Sequence, residues 1–83
     1  MLMAKVLLFG RLRDVAGWRE MQVDPTPTTL SMLKAAICRD NPGLAIALNG
    51  PGVRAAVDKT MVQADVALLP GVEVAFMPPM SGG

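Results

Sequence analysis

Histidine and tyrosine are absent from this 83-residue sequence, cysteine occurs once, and aromatic residues make up 4% of it. Without histidine the chain lacks the commonest general base, the commonest metal ligand and the usual partner of a catalytic serine or cysteine. The one cysteine, Cys38, forms no intrachain disulfide and builds no thiolate metal cluster. It lies in a helical pattern and reads as a small buried hydrophobe rather than a nucleophile. Charge is scarce too: charged residues are 18% of the chain and the net charge is +1. The basic residues are scattered, with only Arg11 and Arg13 close together and Asp14 following them. That balance does not suit an electrostatic search for nucleic acid or a membrane surface. No apolar stretch approaches the ~20 residues that span a bilayer. The opening run Met1 to Val6 is short, and Arg11, Arg13 and Asp14 soon interrupt the segment, unlike a secretory signal. The expectation is a cytoplasmic protein with no nucleic-acid partner, no membrane partner and no metal.

Other chemistry-bearing patterns are missing as well. Asp14, Asp58 and Asp65 have no paired-carboxylate spacing. Asn49-Gly50-Pro51-Gly52 lacks the lysine and hydroxyl of a phosphate loop and reads as a plain turn. Trp18, the only tryptophan, reads as the cover of a core edge.

Apolar residues are present in excess. They make up 52% of the chain, above the usual share for a soluble domain. A single domain of this length buries about two thirds of the surface its unfolded form exposes, which allows one modest core and no deep active site. Part of the apolar surplus is then left outside, where contiguous apolar surface marks an interface. The alternative is that seven methionines and the many alanines inflate the count.

Along the chain, Lys5 to Phe9 is continuously apolar after the lysine, which predicts a strand buried on both faces, as in a central parallel pair. Residues 11–17 read as a connection; alternation would put Arg11 and Arg13 on one side of it as a small partner-facing patch, but a solvated loop with an Arg–Asp contact is the preferred reading. Residues 19–24 alternate and predict a strand with one wet face, antiparallel to the first. Pro25-Thr26-Pro27 stops it. Thr28 or Thr29 then caps a helix whose Leu30, Leu33 and Ile37 form one apolar stripe. Asn41-Pro42-Gly43 reads as its end, and residues 44–48 as a helical turn. Val53 to Val57 is a strand, Asp58-Lys59-Thr60 turns it toward a short partner at Met61-Val62, and Val72, Val74 and Phe76 alternate in the last strand. Strands with one main helix predict an α+β roll, a sheet of four or five strands covered on one face.

The sequence closes on Met77-Pro78-Pro79-Met80-Ser81-Gly82-Gly83. Gly-Gly at that place arises by chance about once in 200 chains, so its context matters more than the pair. Two prolines after a strand favour an extended backbone. At ~3.3 Å per residue, four residues reach roughly 13 Å beyond the body. Glycines enter channels too narrow for a side chain, and the tip bears a carboxylate. The pattern suits a carboxylate delivered into another protein's active site and made reactive there, typically as a mixed anhydride with AMP. A frayed end with two incidental glycines is the bland alternative. Threading four flexible residues costs about 4–8 kcal/mol, so an apolar docking face must offset it. Met77 and Met80 flank the prolines and suit a partner's channel mouth, although Met77 equally suits the core.

These residues resemble the small, sulfur-carrier subunit of molybdopterin synthase, a ubiquitin-like family. The likeness spans nearly the whole chain and rests on "KVLLFGRLRDVAG", "AAVDKTMV" and above all "GVEVAFMPPMSGG". It implies a β-grasp fold, with a domain over residues 1–77 and an extended tail over 78–83. It also implies that Gly83 is adenylated by an E1-like enzyme using ATP, then converted to a thiocarboxylate by a sulfur donor protein, while the chain itself binds no cofactor. The tail, with Phe76, Met77, Pro78, Pro79, Met80, Ser81 and Gly82 as partner-binding residues, would insert into the large synthase subunit. There the sulfur would pass to a cyclic pyranopterin precursor, within a heterotetramer. Asp58, where many relatives carry Asn, and Val72, where many carry an acid, are departures that bear on partner contacts. A carrier for thiamine or tRNA thiolation, or a modifier conjugated through Gly83, is the alternative.

Overall fold

Strand β5 (Glu73–Met77), late in the chain, occupies the middle of the sheet. The computed structural model describes residues 3–79, and all structural statements concern these. The preceding elements are β1 (Ala4–Leu8), α1 (Gly10–Ala16), β2 (Glu20–Val23), α2 (Leu30–Cys38), α3 (Pro42–Leu48), β3 (Arg54–Val57) and β4 (Thr60–Val62). The five strands lie in the order β2-β1-β5-β3-β4. β1 and β5 run parallel, with Val6 opposite Val74 and Leu8 opposite Phe76, and every other pair is antiparallel. The expected parallel centre and five-stranded mixed sheet are both present.

The core forms between one face of this sheet and the helices. Ala4, Val6, Leu8, Val74 and Phe76 from the strands join Leu12, Leu30, Leu33, Ile37, Leu44 and Leu48 from the helices in one cluster. Each large side chain removed from water in this way stabilises the fold by about 1.5–3 kcal/mol. Trp18 packs at the edge of the cluster, as expected.

The helical layer holds three helices, because α1 and α3 add seven residues each to α2. Residues 11–17, expected as a connection, are mostly helix. Leu12 anchors α1 in the core, and Gly17 ends it in the left-handed region at φ 83°, donating its N–H to the Arg13 carbonyl. Two helical positions apart, Arg11 and Arg13 diverge by about 200°, so they do not share one side. Arg13 Nε instead lies 4.0 Å from the Asp14 carboxylate. Asn41-Pro42 opens α3 rather than closing α2: the Asn41 side chain accepts from Leu44 N–H, and Pro42 occupies the first turn, where a missing N–H costs nothing. α2 forms as its stripe predicts, with Thr29 accepting from Met32 N–H.

β1 corrects another expectation. Ala4, Val6 and Leu8 are buried, but Lys5 and Leu7 are only half-buried. The helices cover one face of the sheet, so a continuous apolar run does not become a strand buried on both sides. Among the described residues no helix is long and apolar enough to cross a membrane.

Candidate functional site: the open sheet face and the exit of β5

The uncovered face of the sheet can be built from its pairing. Residues opposite one another on adjacent strands point to the same side. Leu7 pairs with Ala75, Ala75 with Ala56, and Ala56 with Met61. These four therefore form one apolar row across four strands. The next row toward the C-terminal end of β5 holds Met77, with Arg54 opposite it. Phe9 follows β1 beside Met77, fixed by its N–H donating to the Phe76 carbonyl at 3.2 Å. Phe9 and Met61 are each 47% exposed, so the apolar surplus seen in the sequence is partly concentrated here. At the other end of the face the side chains are polar. Lys5 Nζ sits 3.9 Å from Glu20 and 4.0 Å from Glu73, half-exposed pairs worth little in stability. The face thus carries the Lys5–Glu73 pair at one end and, where the chain leaves it, apolar side chains with Arg54 among them, while Glu20 lies opposite Leu7 at the β2 edge.

The exit itself is tightly packed. Pro78 is half-buried and lies against Gly10, and Pro79 is exposed and lies against Gly52. Met77 is half-buried on the open face and stands outside the core cluster. Phe76, expected among the partner-binding residues, is fully buried. Its place in the alternation with Val74 turns it inward, and a side chain with no exposed surface contacts no partner in this state. Met80, Ser81, Gly82 and Gly83 lie outside the described residues.

A cleft of about 410 Å³ runs between α2 and the β3–β4 side, lined by Ser31, Lys34, Gly52, Arg54 and Asp65 among others. Lys34 Nζ stands 6.0 Å from the centroid of the Phe76 ring at its floor. Asp65 accepts from both the backbone N–H and the hydroxyl of Ser31, at 2.8 and 2.7 Å. Those hydrogen bonds to Ser31 lower its pKa below the ordinary carboxylate value. The acid therefore holds the first turn of α2 and is not poised for proton transfer. Cys38 packs against the core, and burial raises its thiol pKa, which keeps it protonated and a poor nucleophile. Among the described residues no group of three or more His, Cys, Asp or Glu side chains could hold a metal ion.

Four residues of this site escaped the sequence reading. Phe9 was taken as the end of a buried strand and Met61 as part of a short partner strand. Gly52 was taken as a turn residue and Gly10 only as the end of the first apolar run. For Phe9 the signal was strand alternation continued one residue past β1, and for Met61 it was the pairing of β4 with β3. For the glycines no local signal exists, because their neighbours Pro78 and Pro79 are distant in sequence.

Known proteins share this architecture. A family model described as the ThiS family matches residues 6–83. Over 81 residues the chain is 36% identical to the molybdopterin synthase sulfur carrier subunit of Escherichia coli (strain K12), covering 98% of this chain and 100% of that protein. The subunit of the same name from Haemophilus influenzae is 27% identical with the same coverage. The crystal structure of SAMP1 from Haloferax volcanii, a small archaeal modifier protein, superposes with a TM-score of 0.84 at 26% identity. That match covers 98% of this chain and 99% of the other, and it shares the β-grasp arrangement of a mixed sheet with helices on one face.

Proposed function

Because the chain belongs to the ThiS family, we propose that it is the sulfur-carrier subunit of a molybdopterin synthase, loaded and unloaded at the Gly83 carboxylate. One observation carries the reading: β5 ends on an uncovered sheet face, at Met77 beside Phe9 and one row beyond the apolar row Leu7, Ala75, Ala56 and Met61. A partner that docks on this face receives the tail at its border. The entropy of ordering four tail residues, about 4–8 kcal/mol, is offset by burying roughly 160–320 Å² of apolar surface at ~25 cal/mol per Å². That is well within the ~800 Å² per partner of an ordinary interface.

The chemistry asks nothing of the domain's side chains. An E1-like enzyme directs a Gly83 carboxylate oxygen onto the α-phosphorus of ATP, and pyrophosphate leaves. The terminal sulfur of a donor protein's persulfide then attacks the acyl carbon, AMP departs with the former carboxylate oxygen, and a thiol cleaves the resulting acyl disulfide, taking the donor's sulfur into a disulfide and freeing the thiocarboxylate. The thiocarboxylate enters the large subunit, where its sulfur bonds to a carbon of a cyclic pyranopterin precursor and displaces an oxygen leaving group; water then cleaves the acyl–sulfur bond, leaving the sulfur on the product and the carboxylate on Gly83. ATP belongs to the activating enzyme, and this chain supplies only the carboxylate and its delivery.

Reconstitution tests the reading. The thiocarboxylated chain mixed with the large subunit and the precursor should yield the dithiolene product, and a Gly83-deleted chain should yield none while unfolding at the same urea concentration. Product from the deleted chain refutes the assignment. Likeness to SAMP1 supports a second reading, a modifier joined through Gly83 to lysines. It predicts conjugates of higher mass in cell extract that vanish on deletion of Gly83.

A further inference from the structure

We infer that Gly10 and Gly52 are positioning residues: together they form a seat for Pro78 and Pro79 that sets the direction in which the chain leaves the body. This rests on the carrier reading for its consequence, though not for its geometry. A Cβ placed on Gly52 would lie 2.7 Å from Pro79 Cβ, and one on Gly10 would lie 3.0 Å from Pro78 Cγ. The first separation is closer than real Cβ contacts come, and the atom it meets belongs to a rigid ring that cannot swing away. Each proline therefore rests directly on glycine backbone. The two glycines come from different parts of the chain. Gly10 opens α1 directly after β1, and Gly52 precedes β3, so the seat straddles β5, between the two strands that flank it in the sheet.

Both glycines have positive φ, 55° and 81°, so strain alone would disfavour a side chain at either place. Gly71 separates the two effects. Its φ is 83°, and a Cβ there meets nothing within 4 Å. Gly71→Ala thus carries the backbone penalty of Gly52→Ala without its collision.

The seat matters for function because docking and delivery use different atoms. The partner meets Phe9, Met61 and Met77, whereas the reacting group lies six residues beyond Met77. Pro79 lies four residues before the reacting group, so its position sets where those residues start. Misplacement of about 1 Å at a reacting centre costs up to roughly 100-fold in rate. Gly52→Ala should therefore slow sulfur transfer and leave docking intact.

The test compares wild type, Gly52→Ala, Gly71→Ala, Pro79→Gly, and Gly52→Ala combined with Pro79→Gly. Each is thiocarboxylated and assayed with the large subunit over a range of carrier concentrations. Gly52→Ala should lose at least about tenfold in kcat relative to Gly71→Ala, with KM for the carrier within about twofold. In the Pro79→Gly background the ring is gone, so Gly52→Ala should cost no more than Gly71→Ala does. Equal kcat for Gly52→Ala and Gly71→Ala, or a full Gly52→Ala penalty without the ring, overturns the inference. Nuclear Overhauser contacts between Gly52 Hα and the Pro79 ring in the free wild-type protein are expected, and their absence also overturns it. If wild type accepts no sulfur, the carrier reading fails, and these contacts still decide whether the seat exists.

Discussion

Phe76 and Met77 are neighbours in β5 and face opposite sides of the sheet. Phe76 is fully buried among Leu8, Leu33 and the rest of the core, so Phe76→Ala should destabilise the domain by about 3–5 kcal/mol. That is a large part of the 5–15 kcal/mol typical of a whole domain, and urea unfolding measures it. Met77→Ala should shift the same midpoint little, yet weaken binding to the large subunit about tenfold, as loss of a well-packed interface side chain does; titration calorimetry separates the two. Alternation of Val72, Val74 and Phe76 was visible in the sequence, and one shared face for the three agrees with their burial. The resemblance instead put Phe76 among the partner contacts. The seat under Pro78 and Pro79 was not legible, since nothing near Gly10 or Gly52 in the chain indicates a proline some seventy or thirty residues away.

At the scale of elements, α2 shows how a helix end is held from outside its own sequence. Thr29 caps it locally, and the stretch around Asp65 reaches its first turn through Ser31, while Leu30 N–H donates to the Val66 carbonyl. Thr29→Ala should cost about 0.5–2 kcal/mol, a usual loss for a cap, seen in the thermal midpoint. Asp65 adds a pH dependence. Its pKa is lower folded than unfolded, so its contribution is present at neutral pH, above the unfolded value, and fades as pH falls through the folded value. Stability measured between about pH 5 and pH 2 should decline less steeply in Asp65→Asn than in wild type; equal slopes would remove this role. The stripe Leu30, Leu33, Ile37 made α2 legible. α1 was hidden by its length and α3 was legible only as a helical turn over 44–48: seven residues give one or two buried positions, Leu12 in one and Leu44 with Leu48 in the other, too few to establish a period. The signals that survived were terminal, Gly17 at one end of α1 and Asn41-Pro42 at the start of α3.

For the whole molecule, the balance of an apolar docking face against a net charge of +1 makes a distinct prediction. Association with the large subunit should change less than about threefold in Kd between low and moderate salt, because few exposed charges take part and screening acts mainly on those. A steep salt dependence would move the interface to the Lys5–Glu20–Glu73 end of the sheet. At this scale the sequence was most informative: the parallel centre and the one-sided helical layer were expected from the apolar runs, whereas the strand order is set by pairing. The open face was foreseen only as a surplus of apolar residues, because its members come from four strands and meet only through pairing. The proposed function depends on the Gly83 carboxylate being exchangeable. The most direct measurement is the intact mass of the chain after incubation with an E1-like enzyme, ATP and a sulfur donor. Replacement of one oxygen by one sulfur, localised by fragmentation to Gly83, is the predicted result. An unchanged mass beside partners that load the Escherichia coli subunit in the same tube would contradict it.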